Sequence, residues 1–309
     1  MRLAAIGECM LELRHREPAV LELGFAGDSF NTALYLARLN PPGRLAIDYV
    51  TALGDDPYSD AMLGAWRAEG IGVDHVARLP GRLPGLYLIR TDERGERRFF
   101  YYRSAAAARA LFSDDATKLL LAALPAYDVL YFTAVTLSIL GPDARIALRE
   151  ALAAARGAGR QIVFDSNYRP AGWRDGAAAR AAITPFLPHL TLALPTFEDE
   201  QALWGDAAPA DTIRRYAERG IEVCLKRGIE GCAIADGQEV PVPLRVAPLD
   251  TTGAGDAFNA AYLSARLRGA PPIDAARSGH LLGGTVIRYP GAILPREVAI
   301  PELPDYRPR

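Results

Sequence analysis

The segment LDTTGAGDAFNAAYL, residues 249–263, sets two threonines and two glycines around the ionisable Asp256 and then runs directly into apolar residues. Ala257, Phe258, Ala260, Ala261, Tyr262, Leu263 and Ala265 keep a helical apolar spacing, which predicts a helix beginning near residues 253–255. The first amides of such a helix lack partners within it, and with the positive end of the helix dipole they make a seat for an anion. Phosphate is the commonest guest, and glycines let it approach the backbone. Asp256 then stands beside the guest as a carboxylate able to take a proton from a hydroxyl. Phosphoryl transfer asks for little more than donors for the developing charge, a proton acceptor and exclusion of water. The plainer alternative is that Asp256 only caps its helix.

Other chemistries lack their residues. There is no GxxxxGK[ST] loop, no GxSxG elbow and no HExxH, and Phe258 stands where a dinucleotide fingerprint wants a small residue. The four histidines, His15, His75, His189 and His280, are scattered. Cys9, Cys224 and Cys232 are odd in number without a CxxC spacing, so they read as buried thiols of a reducing cytoplasm, not as a zinc site. With a net charge of −2 and a pI near 6.1, nothing points to nucleic acid or an acidic membrane as partner. The N-terminus turns charged too soon for a signal peptide, and Pro125 and Asp128 interrupt the one long apolar stretch, 119–140, which reads as a helix end and a buried strand. Of 35 basic residues only Lys118 and Lys226 are lysine, and Lys226 falls in a candidate site.

The elements that must position these groups alternate. LAAIGECMLEL reads as a strand, SFNTALYLARL as a helix, IDYVTALG as a strand and PYSDAMLGAWRAEG as a helix, and the alternation continues to the C-terminus. It predicts an α/β fold with a mostly parallel central sheet covered by helices on both faces. Residues 85–103, GLYLIRTDERGERRFFYYR, break the rhythm as two strands around a polar turn at Gly95. Alternation puts Tyr101 and Arg103 on one face with Tyr102 opposite, and Tyr87 with Ile89 on one face of the first strand. Such a hairpin either closes over a polar ligand or merely covers a sheet edge.

DTTGAGDAF, residues 250–258, resembles the C-terminal signature of the ribokinase-like, or PfkB, family of carbohydrate kinases. GFAGDSFNTALYLARL is similar to that family's sugar-binding segment, with Gly27, Asp28 and Asn31 in register. The resemblance runs from IGECMLEL through TALGDD to RYPGAILP. The segments GECM, RLPGLYLI, FYYR, NYRPAGW and RYPGAILPRE are similar to those of the subgroup acting on the sugar acid 2-keto-3-deoxygluconate. The resemblance implies a three-layer ribokinase-like domain over residues 1–309, with lid strands inserted around 8–25 and 84–103. It implies Asp256 as base and Gly253, Ala254 and Gly255 as anion hole. It places Lys226, Gly228 and Gly231 at ATP, Asn167 at the border of the phosphate and sugar sites, and Asp250 and Thr252 beside a monovalent cation, K⁺, found in some members. Mg²⁺ is expected to arrive with ATP. In place of the family's NxxE motif stand Thr196 and Asp199.

A sugar acid brings a carboxylate, which arginine's planar fork suits. Arg103 and Arg169 are the candidates, with Tyr87 and Tyr101 bonding hydroxyl or keto oxygens and Gly27 letting the sugar near the backbone. Arg169 has a plainer alternative, an ion pair with a helix end. A kinase of a neutral sugar such as fructose or ribose, and a non-catalytic sugar-acid sensor, stay open beside the sugar-acid kinase. A homo-oligomer paired through lid strands is a further expectation.

Overall fold

A computed structural model describes residues 1–304 apart from 18, 42, 92–96 and 235–236. Its strands are β1 (Arg2–Ile6), β2 (Met10–Glu17), β3 (Val20–Ala26), β4 (Ala46–Leu53), β5 (Ile71–Gly72), β6 (Val76–Arg78), β7 (Leu86–Thr91), β8 (Arg97–Tyr102), β9 (Val129–Thr133), β10 (Gln161–Asp165), β11 (Leu192–Ala193), β12 (Glu222–Lys226), β13 (Cys232–Ile234) and β14 (Glu239–Val240). The large sheet has the order β14-β13-β12-β11-β10-β9-β1-β4-β5, with β6 also paired to β4. From β12 to β5 every pairing is parallel, and β13 and β14 add an antiparallel edge.

Both faces of this sheet are buried, which is why its strands read as continuous apolar runs. Leu3, Ala5, Tyr49, Tyr131 and Val163 join a core with the Asp28–Leu39 and Ala254–Leu267 helices. Their strand neighbours Ala4, Ile6, Val50, Leu130 and Ile162 face the other way, onto the Pro142–Gly157 and Gly176–Ile183 helices.

A second sheet of four strands, β3-β2-β7-β8, stands apart from the first. LAAIGECMLEL is therefore not one strand: β1 and β2 belong to different sheets, and the chain changes direction at Gly7–Cys9, where Gly7 lies tight against Ser29. β7 and β8 pair antiparallel from Leu86↔Tyr102 to Thr91↔Arg97, as the hairpin reading requires, and the turn at Gly95 lies outside the described residues. The inner face carries Met10, Glu12, Tyr87, Ile89 and Tyr101; Met10, Tyr87 and Ile89 pack with Ala26 and Ala292. The other face shows apolar side chains to solvent: Leu23, Phe100 and Tyr102 are all exposed.

Candidate active site

Parallel sheets bind ligands beyond the carboxyl ends of their strands. Here Thr133, Asp165 and Lys226 are the last residues of β9, β10 and β12, and they meet the N-terminal ends of the Asp28–Leu39 and Ala254–Leu267 helices. The second helix starts at Ala254, as the apolar spacing predicts. It is reached through Gly253 in the left-handed region, φ 74°, with its backbone against Ala292: a Cβ at 253 would lie 2.7 Å from the Ala292 carbonyl oxygen. Not all of its first amides are open, since Ala254 N donates to Thr251 O at 3.3 Å.

Asp256 does not cap this helix. The capping position is Gly253, which brings no side chain, and the Asp256 carboxylate is turned across to Asn31, whose Nδ2 donates to Oδ2 at 2.8 Å. Asn31 Oδ1 in turn accepts from Gly27 N at 3.3 Å. Asp256 is half-buried at the cleft floor. The protein around its carboxylate desolvates it and the negative Asp28 lies nearby; together they outweigh the Asn31 hydrogen bond and the Lys226 charge and push its pKa up to about 7. That value suits a base working near neutrality.

Asp28 is held from three sides. Thr133 Oγ1 and Asn167 Nδ2 donate to its Oδ2 at 2.6 and 2.7 Å, and Ser29 N to its Oδ1 at 2.8 Å. Lys226 is buried, with Nζ donating to Asp165 Oδ2 at 3.0 Å and Asn259 Oδ1 at 2.9 Å. Its ammonium also borders Gly255, 3.7 Å from where a Cβ would stand. A fixed positive charge thus lies against the start of the helix. Gly228 and Gly231 flank the turn between β12 and β13; Gly231, φ 99°, lies on the Val240 backbone, so the hairpin itself requires that glycine. Asp250 is buried, its oxygens accepting from Thr252 N at 2.7 Å and Gly291 N at 2.6 Å.

The residues expected to face a sugar acid converge, though each already has a protein partner. Arg103 pairs with the buried Glu8, and Tyr87 donates to Glu12. Arg169 Nη1 bonds Asp199 Oδ1 and Oδ2 at 3.1 and 3.2 Å, and Asp199 lies in the first turn of the Phe197–Trp204 helix. This is the ion pair with a helix end that stood as the alternative. Arg103 Cζ lies 6.0 Å from the Tyr101 ring centroid, and Tyr101 feels both arginines: burial pushes its phenol up while the Arg103 and Arg169 charges pull it down. Gly27 has a closer neighbour than any sugar, because a Cβ there would run into the Glu8 carbonyl oxygen. Thr196 is the residue before the Phe197–Trp204 helix and pairs in a bridge with Lys226.

The whole arrangement matches one fold family. The pfkB family carbohydrate kinase profile matches residues 2–299. The chain belongs to the PfkB family of carbohydrate kinases. It is 41% identical over 303 residues to the 2-dehydro-3-deoxygluconokinase of Escherichia coli strain K12, covering 96% of this chain and 98% of that one. The 2-dehydro-3-deoxygluconokinase of Haemophilus influenzae is 39% identical over 309 residues, 98% of each chain. The crystal structure of a PfkB protein from Polaromonas sp. JS666 superposes with a TM-score of 0.80 at 27% identity, over 93% of this chain and 95% of that one.

Several groups of this PfkB site escape a reading by motif. Glu8, Glu12 and Asp165 hold the expected residues from behind, as do Thr133 and Asn259. One signal was present, since Glu12 and Arg14 alternate with Leu11 and Leu13 on their strand. A cavity of about 370 Å³ lies beside the cleft between the inner face of the small sheet, the Asp28–Leu39 helix and residues 290–295, with Glu12 and Arg14 in its wall.

Proposed function

We propose that this chain is an ATP-dependent kinase of 2-keto-3-deoxygluconate, producing the 6-phosphate. The observation that carries the reading is the convergence of Asp256, bonded to Asn31, with a helix start flanked by the Lys226 ammonium and with Tyr101 beside Arg103 on the small sheet. The likeness over nearly the whole chain to the two 2-dehydro-3-deoxygluconokinases, named for the same compound, supports the same substrate.

In this reading Asp256 accepts the proton of the sugar 6-hydroxyl as its oxygen attacks the γ-phosphorus, and the bond from that phosphorus to the bridging oxygen of ADP breaks. The amides of residues 253–255 face the transferred phosphoryl, with Lys226 behind them. Asn167 and the 228–231 turn border the nucleotide. Gly27, Asp28 and Asn31 shape the floor under the sugar. Arg103 and Arg169 turn their remaining donors to the carboxylate, and Tyr87 and Tyr101 wall the sugar. Among the described residues no group of three or more His, Cys, Asp or Glu could hold a metal. Mg²⁺ would enter on ATP, where it would neutralise phosphate charge. The small sheet acts as a lid inserted into a single kinase domain, and its exposed outer face, with Leu23, Phe100 and Tyr102, pairs with a second copy. No helix among the described residues is long and apolar enough to cross a membrane.

One observation favours a neutral sugar instead: both arginines are already charge-compensated, Arg103 by Glu8 and Arg169 by Asp199. A coupled ADP assay over 2-keto-3-deoxygluconate, its galactonate epimer, fructose and ribose decides. Turnover of a neutral sugar at higher kcat/KM than either acid would overturn the sugar-acid reading.

A further inference from the structure

Arg14 has no part in the reading above. It lies on β2, two residues from Glu12 on the same inner face, and its Nη2 donates to Glu12 Oε1 at 2.8 Å, while the other Glu12 oxygen receives the Tyr87 hydroxyl. The same guanidinium rests on Gly291. Nη2 is the atom nearest to where a Cβ on residue 291 would stand, with Cζ and Nη1 each at 3.2 Å, and residue 291 sits at φ 89°, which favours glycine. Gly291 N bonds Asp250 Oδ2, Asp250 Oδ1 holds Thr252 N, and Gly253 follows at the helix start. Contacts therefore run unbroken from the sugar-facing Tyr87 through Glu12, Arg14, Gly291 and Asp250 to the turn before the anion hole. Burial opposes the Arg14 charge, but the charges of Glu12, Glu22 and Asp250 more than offset it.

The cation implied by resemblance at Asp250 and Thr252 would need oxygens converging on it. Asp250 already accepts a backbone N–H at each oxygen, and a guanidinium stands beside the Gly291 end of that bridge, where its charge would repel a second cation. A planar cation can bond Glu12 with one edge and lie against backbone with its face, which a lysine ammonium cannot do as well.

We infer that Arg14 is a positioning residue for phosphoryl transfer, supplying from the lid the fixed positive charge that a monovalent cation would otherwise bring to the Asp250–Gly291 bridge, so that turnover does not depend on K⁺. The inference rests on the reading of residues 253–256 as the phosphoryl-transfer site.

The test measures steady-state turnover of sugar acid with MgATP in potassium, sodium or choline chloride at constant ionic strength. Wild type is expected to vary by less than about twofold among the three. Arg14→Gln is expected to lose about tenfold or more in kcat with KM for ATP little changed, and to regain several-fold on adding K⁺ or guanidinium. Strong activation of wild type by K⁺ over choline overturns the inference. So does an Arg14→Gln enzyme that keeps wild-type kcat, or one that is slowed without responding to either cation, since a merely structural arginine predicts that. Should Arg14→Gln fail to fold, the wild-type cation panel decides together with Arg14→Lys, which is expected to stay independent of K⁺. A wild type inactive on every sugar and sugar acid tested defeats the reading of the site, an outcome distinct from cation dependence in an active enzyme.

Discussion

Asn31 and Asp256, 225 residues apart in sequence, are joined by a 2.8 Å hydrogen bond from the amide nitrogen to the carboxylate. The bond ties the helix after the glycine-rich N-terminal segment to the helix after the DTTGAGD motif. It also stabilises the charged form of Asp256 against burial and against the nearby Asp28, which together hold the carboxyl at about 7.

The first prediction is the pH dependence. Only the charged form can accept a proton, so kcat/KM should rise with pH and level off above about 7. Asn31→Ala removes a hydrogen bond to the charged form, and its acid limb should move to higher pH. A profile flat from pH 5.5 to 8.5 in both proteins would sink the assignment of Asp256 as base.

The same shift has a stability consequence. The folded pKa lies above the ordinary 3.8, so the contribution of this carboxyl is fully present below that value and is lost as pH rises through about 7. Asp256→Asn cannot ionise, and its Tm should exceed that of wild type at pH 8 and match it near pH 4. Its kcat should fall by about 10²- to 10⁴-fold. Calorimetry at the two pH values checks the first claim, and a variant with near wild-type turnover refutes the second.

Two neighbouring glycines should fail differently. Gly253→Ala forces a side chain into φ 74° and against Ala292, so it should lower Tm. At Gly255 the nearest neighbour of a new Cβ is the Lys226 ammonium at 3.7 Å, an ordinary contact. Gly255→Ala should therefore fold normally yet lose about 10²-fold in kcat, because the methyl fills the space between helix start and ammonium. Paired melting curves and kinetics separate the two.

The large sheet and the helix start at 254 were legible because buried parallel strands and amphipathic helices leave periodic patterns in local sequence. The break at Gly7–Cys9 was not, since both flanking strands are apolar and only long-range pairing sends them to different sheets. The same limit hides the supporting acids. Nothing local to Arg103 announces Glu8, 95 residues earlier, and nothing local to Arg169 announces that Asp199 will meet it. Motif residues show themselves by type and spacing; the groups that hold them are scattered over several elements and are brought together only by the tertiary fold.

The outer face of the small sheet gives an association test. Leu23 on one edge strand is 44% exposed, and Phe100 and Tyr102 on the other are 48% and 65% exposed, apolar groups on one face that a second copy would cover. Phe100→Asp should convert a dimer to a monomer in sedimentation. Wild type sedimenting as a monomer at high concentration rules out the pairing.

Substrate identity rests on Arg103 and Arg169. A hydrogen bond to a charged group contributes roughly 1.5–3 kcal/mol, so losing either should lower kcat/KM for the sugar acid by about 10- to 150-fold. Their settings differ, and so should their effects. Arg103 is 21% exposed over a Glu8 side chain only 1% exposed, while Arg169 is 57% exposed beside Asp199. The better desolvated charge interacts more strongly, so Arg103→Ala should cost more than Arg169→Ala. Arg→Lys should rescue neither fully, because a point charge cannot reproduce the planar fork. An analogue with the carboxylate reduced to an alcohol leaves the donors unpaired in wild type, and its kcat/KM should respond little to either change. The measurement is a cycle of acid and alcohol against arginine and alanine. Equal losses for acid and alcohol would assign both arginines to the scaffold with Glu8 and Asp199, leaving a PfkB carbohydrate kinase whose substrate carries no recognised carboxylate.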